Sequence, residues 1–322
     1  MPTVRYLSRG DVLSLGRSLD VEICLARILI ETEQKSAGQA VRMELSPSTL
    51  PGVLALMPAF RSGASRSFAA KVVSVMPENP KKGLSAHQGI GVLFDGDEGV
   101  VVGMVDAGAL TELRTAGLTA LASRTLATPG ASRALIVGGG HQLLPHIRAL
   151  SKIEWISSLA VWVRRPDAAR QIERELHLAG LDIEIEPHID SAVQAADIVT
   201  TITSASQPVI HREWLRPGTH LNAIGSSNHS VRELDKSVVD GCDLFVDDEA
   251  SVKRLAGEFS GLAEYPAMTS LGSVLAGNAS GRRNAESITV FKSVGIATQD
   301  LALMDGLLSL ATVTDVGQLL EF

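Results

Sequence analysis

Beyond residue 130 the chain repeats one pattern, in which short, uninterrupted apolar runs alternate with longer stretches that mix apolar and polar positions at helical spacing. The runs fall at 135–137, 159–163, 183–185, 198–202, 220–224 and 244–246. Apolar runs of this length predict buried strands. Strands alternating with helices and joined by right-handed crossovers predict a parallel sheet covered on both faces. The intervening helices are expected over 142–153, 167–178 and 190–196. Before this region the pattern changes. An amphipathic helix is predicted over 21–35, with strands over 68–76, 89–95 and 99–105. The string Asp95-Gly96-Asp97-Glu98-Gly99 forms a hairpin turn between the last two. A long helix over 111–126 ends at Thr128-Pro129-Gly130, which is taken as the domain boundary. After Asn284 a last strand and turn over 288–295 precede an amphipathic helix over 298–310, expected to return to the first domain. The class is α/β, with a doubly wound parallel sheet in 129–295 and an α+β domain in 1–128 that 296–322 rejoins.

Length and composition narrow the field. At 322 residues, two domains with a cleft are expected. A content of 45% hydrophobic and 20% charged residues fits a globular protein rather than a disordered or fibrous one. A net charge of −7 without a basic block argues against nucleic acid or an anionic membrane as partner. The N-terminal string lacks the apolar core of a signal peptide, and no apolar run approaches the roughly 20 residues that span a bilayer, so a cytoplasmic location is expected. Cys24 and Cys242 form no C-x-x-C pair and are expected to be ordinary buried cysteines. The eight histidines are scattered, with His141 and His146 five apart on an expected helix, and no metal site is predicted.

The chemistry begins at Ala134-Leu-Ile-Val-Gly-Gly-Gly-His-Gln142, an apolar strand that breaks into glycines and then a helix. Such a turn aims backbone N–H groups and the positive end of a helix dipole at one spot, which suits a dinucleotide pyrophosphate. The third glycine of G-x-G-x-x-G would fall at 143, where the chain has Leu143. The second run ends Val-Arg164-Arg165-Pro-Asp167, where a ribose 2′-phosphate would lie. Arg164 and Arg165 favour NADP(H), with NAD(H) as the other option, and Asp167 is expected to cap the next helix. Asp247 and Asp248 are likewise assigned as acids at a helix start.

In the first domain Arg42, Lys71 and Arg114 each lie among apolar neighbours. A buried unpaired ammonium is costly, so Lys71 must find a partner or reach solvent. A cleft lined by two arginines and a lysine would capture a small carboxylate, and a desolvated lysine can donate a proton near neutral pH. Composition alone does not select these three over a structural role.

Seven strings in order cover nearly the whole chain. They are Met57-Pro-Ala59, Ala70-Lys-Val-Val-Ser74, Leu113-Arg-Thr-Ala116, Val137-Gly-Gly-Gly-His-Gln142, His220-Leu-Asn-Ala-Ile-Gly225, Arg232-Glu-Leu-Asp235 and Val290-Phe-Lys-Ser-Val-Gly295. In this set the chain resembles the ornithine cyclodeaminase/μ-crystallin family. The resemblance implies a homodimer, a Rossmann-type domain and an N-terminal substrate-binding and dimerisation domain. It also implies hydride transfer between a nicotinamide and the α-carbon of an amino or imino acid, with no metal. By the same resemblance Arg42 and Arg114 hold the substrate carboxylate and Lys71 stands near the reacting carbon. Thr115, Gly138, Gly140, His141, Gln142, Thr203 and Val294 lie along the cofactor. Cyclodeaminases carry an aspartate two residues beyond the glycine of His-x-Asn-Ala-x-Gly, whereas this chain has Ser227 there. A hydroxyl cannot replace a carboxylate as ion-pair partner or base. Reduction of the C=N bond of a small α-imino acid, or the reverse oxidation, is therefore preferred. The alternatives are cyclodeamination of ornithine or lysine with tightly held NAD+ and a non-catalytic, nucleotide-loaded role. The side-chain pocket is expected around Met57, Phe60 and Ser226.

Overall fold

The computed structural model describes residues 3–63 and 65–321. Met1, Pro2 and Phe322, the ends of the expected first domain, lie outside the described residues, as does Ala64. The chain divides into two compact units, Met1–Arg114 with Ile296–Phe322, and Thr115–Gly295. The division falls inside the helix Ala107–Leu126, upstream of the break at Thr128-Pro129-Gly130, because that helix is continuous through Arg114.

The first unit is a mixed sheet with helices on one face. Its strands run in the order Gln318–Glu321, Thr3–Leu7, Val101–Asp106, His87–Asp95, Ser67–Val75, Val53–Arg61 and Ala37–Gln39, with Met43–Leu45 also pairing with Val53–Arg61. Thr3–Leu7 is parallel to Val101–Asp106, and the pairs from there to Ala37–Gln39 are antiparallel. The hairpin at Asp95 forms as the glycine–aspartate string predicts: the Asp95 carboxylate accepts from the N–H groups of Asp97 and Glu98 at 2.9 and 2.7 Å. Val53–Arg61 is a strand that periodicity does not reveal. Its residues are apolar on both faces, and Pro58 interrupts it, so no polar alternation marks it.

The helix Ala297–Thr314 packs across Val53–Arg61, Ser67–Val75 and His87–Asp95 and against the helix Val21–Glu33. A side chain at Gly91 would lie within 2.6 Å of the Met304 sulfur, so this strand position must be bare for the helix to sit so close. The sequence reads the C-terminal helix as amphipathic, but nearly every residue from Ala297 to Leu308 is buried. Its polar positions Thr298, Gln299 and Asp300 are therefore enclosed rather than solvated.

The second unit is an eight-stranded sheet whose pairs are all parallel. Its order is Glu184–Ile185, Ser158–Trp162, Arg133–Val137, Ile198–Thr201, His220–Ala223, Thr289–Lys292, Asp243–Val246 and Thr269–Ser270. Taken in chain order the first five run 3-2-1-4-5, the doubly wound Rossmann arrangement, and the last strand of the unit inserts between the fifth and sixth. Leu135, Val137, Val199, Leu221, Leu244 and Val290 form its core. The helix after the glycine turn is shorter than expected, Leu143–Leu150, so His141 precedes it and only His146 lies on it. No helix among the described residues is long and apolar enough to cross a membrane.

Candidate active site

In the first unit Lys71 sits at the middle of Ser67–Val75, directly between Met57 and Gly91 on the flanking strands. Alternation along the strand turns its side chain toward the helix Ala297–Thr314, and it is only 2% exposed. Its ammonium lies 2.7 Å from the carboxylate of Asp300, itself 1% exposed. It also donates to the Thr111 hydroxyl at 3.3 Å. The same Asp300 carboxylate is 3.6 Å from Nε of Arg114, which is 8% exposed. Arg42, just before Met43–Leu45, pairs with Glu44 at 2.8 Å and is near enough to act electrostatically on Lys71. The three cations singled out from the sequence therefore share one electrostatic site.

Burial is the largest influence on Lys71 and lowers its ammonium to about 8. Asp300 opposes that shift, while Arg114 and Arg42 push in the same direction as burial. A lysine in this state is a proton donor below about pH 8 and a neutral amine above it.

Asp300 was not singled out from the sequence. The signal existed: an acid that abuts the apolar run Leu301-Ala-Leu-Met304 calls for a cation if that run is buried. Phe60 corrects another expectation. Strand alternation puts Met57, 5% exposed, on the Lys71 side of the sheet, while Phe60 and its cross-strand partner Phe68 are 40% and 55% exposed on the opposite side. Phe60 therefore lines no pocket with Lys71.

In the second unit the expected cofactor residues gather at the carboxyl ends of five adjacent parallel strands. Arg164 and Arg165 follow Ser158–Trp162, and Gly138, Gly140, His141 and Gln142 follow Arg133–Val137. Thr203, Ser227 and Val294 follow the next three strands in the sheet. The order reverses between Arg133–Val137 and Ile198–Thr201, the switch point where such sheets take up nucleotides. Thr115, 6% exposed, begins the unit on the long helix.

Gly138 has φ +131, and a side chain there would come within 2.9 Å of Ile202, so the turn requires glycine. A side chain at Gly140 would meet open space. Gln142, at the start of Leu143–Leu150, makes no side-chain cap, and its buried Oε1 has no hydrogen-bond partner. Uncapped N–H groups at a glycine turn fit the pyrophosphate of a dinucleotide, whereas the Gln142 oxygen, an acceptor, suits a hydroxyl donor. Arg164 and Arg165 are exposed and form no ion pair among the described residues.

A buried carboxylate holds these loops. Glu233, fully buried, accepts from Thr203 N–H at 2.6 Å and Gly225 N–H at 2.7 Å, and from the Thr201 hydroxyl at 2.9 Å. Burial pushes its carboxyl up from the ordinary range, while Lys292 and the donated N–H bonds pull the other way. Lys292 donates to the Ala223 carbonyl at 3.1 Å and lies 3.7 Å from Glu258, whose other oxygen accepts from the Glu233 N–H at 3.0 Å. Asp247 accepts from Ser293, Val294 and Gly295, while Asp248 caps Glu249–Leu255. The Ser226 hydroxyl donates to the Val231 carbonyl and accepts from Gly257 N–H, so it is engaged in holding its loop. Ser227 is half-buried.

His146 is enclosed between the Gln142 carbonyl and the Thr119 hydroxyl. Both cysteines are half-buried rather than buried, and burial pushes the Cys242 thiol up to about 12. Among the described residues no group of three or more His, Cys, Asp or Glu could hold a metal ion.

Comparison with known proteins agrees with this architecture over nearly its full length. The ketimine reductase mu-crystallin of Mus musculus is 29% identical over 263 residues, covering 82% of each chain. The Δ1-pyrroline-2-carboxylate reductase of Thermococcus litoralis, solved with NADH and L-proline, superposes with a TM-score of 0.90 at 28% identity over 98% of this chain and 99% of its own. An archaeal alanine dehydrogenase dimer with bound NAD gives a TM-score of 0.90 at 26% identity over 100% of both chains. The model of the ornithine cyclodeaminase/mu-crystallin family matches residues 16–307, and with the glycine turn, the parallel sheet and the buried lysine in place, this chain belongs to that family.

Proposed function

We propose that the protein is an NAD(P)H-dependent reductase of small α-imino acids, reducing the C=N bond to an L-amino acid and able to run in reverse. The observation that carries the reading is the convergence of three cations, Lys71, Arg42 and Arg114, at one largely buried site, which suits a substrate carboxylate. The arginines hold that carboxylate through their planar forks, and the site's fixed charges need no reorganisation as the reaction proceeds. Lys71 donates its proton to the imine nitrogen. When bound, the reduced nicotinamide nucleotide supplies the hydride that goes to the imine carbon. Gly138, Gly140, His141, Gln142, Thr115, Thr203 and Val294 hold the nucleotide, and Ser227 is assigned to the substrate. Arg164 and Arg165 select NADP(H) by pairing with its 2′-phosphate.

The functional unit is a homodimer. Leu54, Phe60 and Phe68 are 47%, 40% and 55% exposed on one face of the first unit's sheet, where Leu56, Pro58, Ala70, Val72 and Val92 continue the apolar surface between them. A contiguous apolar face of this kind suits a second copy. Phe68→Glu is expected to convert the dimer to a monomer in sedimentation equilibrium, and a variant that remains dimeric removes that face from consideration.

The reaction is tested with cyclic ketimines, and with 2-oxo acids plus ammonia or methylamine, followed by NADPH and NADH absorbance. Lys71→Ala is expected to bind NADPH normally and to lose about 100-fold or more in kcat, the range for removal of a general acid. Turnover at the wild-type rate in that variant would end the assignment. Ammonia release from ornithine or lysine without net NADH production would replace the reading with cyclodeamination.

A further inference from the structure

We propose that Asp300 is the positioning residue for Lys71: buried beside it, its carboxylate keeps the lysine charged and aims the ammonium as proton donor. The proposal rests on the imine-reductase reading and extends it to a residue on a different element. Lys71 comes from the middle of a strand, whereas Asp300 comes from the first turn of Ala297–Thr314, and the two meet at 2.7 Å with 2% and 1% of their surfaces exposed. The neighbouring strands contribute no titratable group beside Lys71, since its cross-strand partners are Met57 and Gly91. The long helix contributes Arg114 and the Thr111 hydroxyl, and the segment ahead of Met43–Leu45 contributes Arg42 with its partner Glu44. Asp300 is thus the single carboxylate in direct contact with the ammonium among the described residues, set against burial and two guanidinium groups.

The geometry also separates Asp300 from a purely architectural acid. Its two oxygens face cations, Lys71 at 2.7 Å and Arg114 at 3.6 Å, and no backbone N–H among the described residues is bonded to them. A carboxylate there to build the fold would be saturated with N–H donors, as Glu233 is. In the reaction the N–H bond of the lysine ammonium breaks and a new N–H bond forms on the imine nitrogen. The imine carbon is reduced by hydride from the nicotinamide nucleotide, which is oxidised. Lys71 is left as a neutral amine beside the Asp300 carboxylate, whose negative charge favours recovery of a proton from solvent before the next turnover. Without Asp300, burial and the two arginines act unopposed and the amine stays neutral at pH 7.

The test reads the lysine itself rather than turnover. Competitive labelling of the full-length protein with isotopic acetic anhydride across a pH series, followed by peptide mass spectrometry, gives the titration of Lys71 without nucleotide or substrate. The wild type is expected to titrate near 8. In Asp300→Asn the midpoint is expected to fall by about one to three units, and in Asp300→Glu to stay near the wild-type value. The alkaline limb of kcat/KM should move by the same amount. A folded Asp300→Asn protein whose Lys71 titrates as in the wild type overturns the proposal. If Asp300→Asn does not fold, the double variant with Lys71→Met decides: recovery of folding establishes the charge coupling, and equal failure with either residue at position 71 refutes it. Should the titration behave as expected while no imino acid in the panel is reduced, the reductase reading fails and the coupling stands.

Discussion

Glu233 in the second unit and Asp300 in the first are both buried carboxylates, 0% and 1% exposed, yet their surroundings differ in kind. Glu233 is saturated: two backbone N–H groups and a hydroxyl converge on it, and it ties together the loops after two neighbouring strands. Asp300 receives no backbone N–H and faces a lysine and an arginine. The contrast teaches that burial of charge does not identify a reactive site. What matters is whether the protein has already filled the hydrogen-bonding capacity of the buried group.

This contrast can be broken by experiment. The largest effect on stability is expected from Glu233→Gln. The amide presents one N–H₂ group to a backbone N–H, leaving a buried donor unpaired, at a cost of about 1–3 kcal/mol read by urea denaturation. Nucleotide affinity should fall with it, because Thr203 and Gly225 lose their common anchor. A Glu233→Gln protein of wild-type stability would abolish the distinction. A second comparison sharpens it, between the buried cations of the first unit and the exposed ones of the second. Arg164→Ala and Arg165→Ala remove solvated side chains and should leave stability within about 0.5 kcal/mol of wild type. KM for NADPH is expected to rise about tenfold in the double variant, the loss of a charge-assisted bond of roughly 1.5 kcal/mol, with KM for NADH unchanged. Equal effects on both nucleotides would remove the 2′-phosphate from the argument. The wild-type profile carries the sign of the buried lysine: activity that needs the ammonium is present below about 8 and lost as pH rises through it.

Much of the second unit was legible in the chain. A parallel strand buried on both faces must be continuously apolar, so its position can be read without partners. The glycine turn was equally visible, since Gly138 at φ +131 tolerates no side chain. The first unit was harder. Thr3–Leu7 and Gln318–Glu321, of five and four residues, are too short to carry a clear period, and Val53–Arg61 is apolar on both faces. Phe60 was misplaced for the same reason, since only the register with Phe68 tells which side of the sheet it faces.

The sequence by itself determined that a nucleotide-binding sheet follows residue 130, and it supplied the cations Arg42, Lys71 and Arg114 from three separated strings. Local pattern suffices there, because hydrophobic periodicity and glycine geometry are properties of neighbouring residues. Only the tertiary structure decided that Asp300, more than 200 positions along the chain from Lys71, meets the ammonium of that cluster. It alone likewise gave Glu233 its architectural role. A one-dimensional reading names neither acid's partners, and what a buried charge does is set by the groups that folding brings against it.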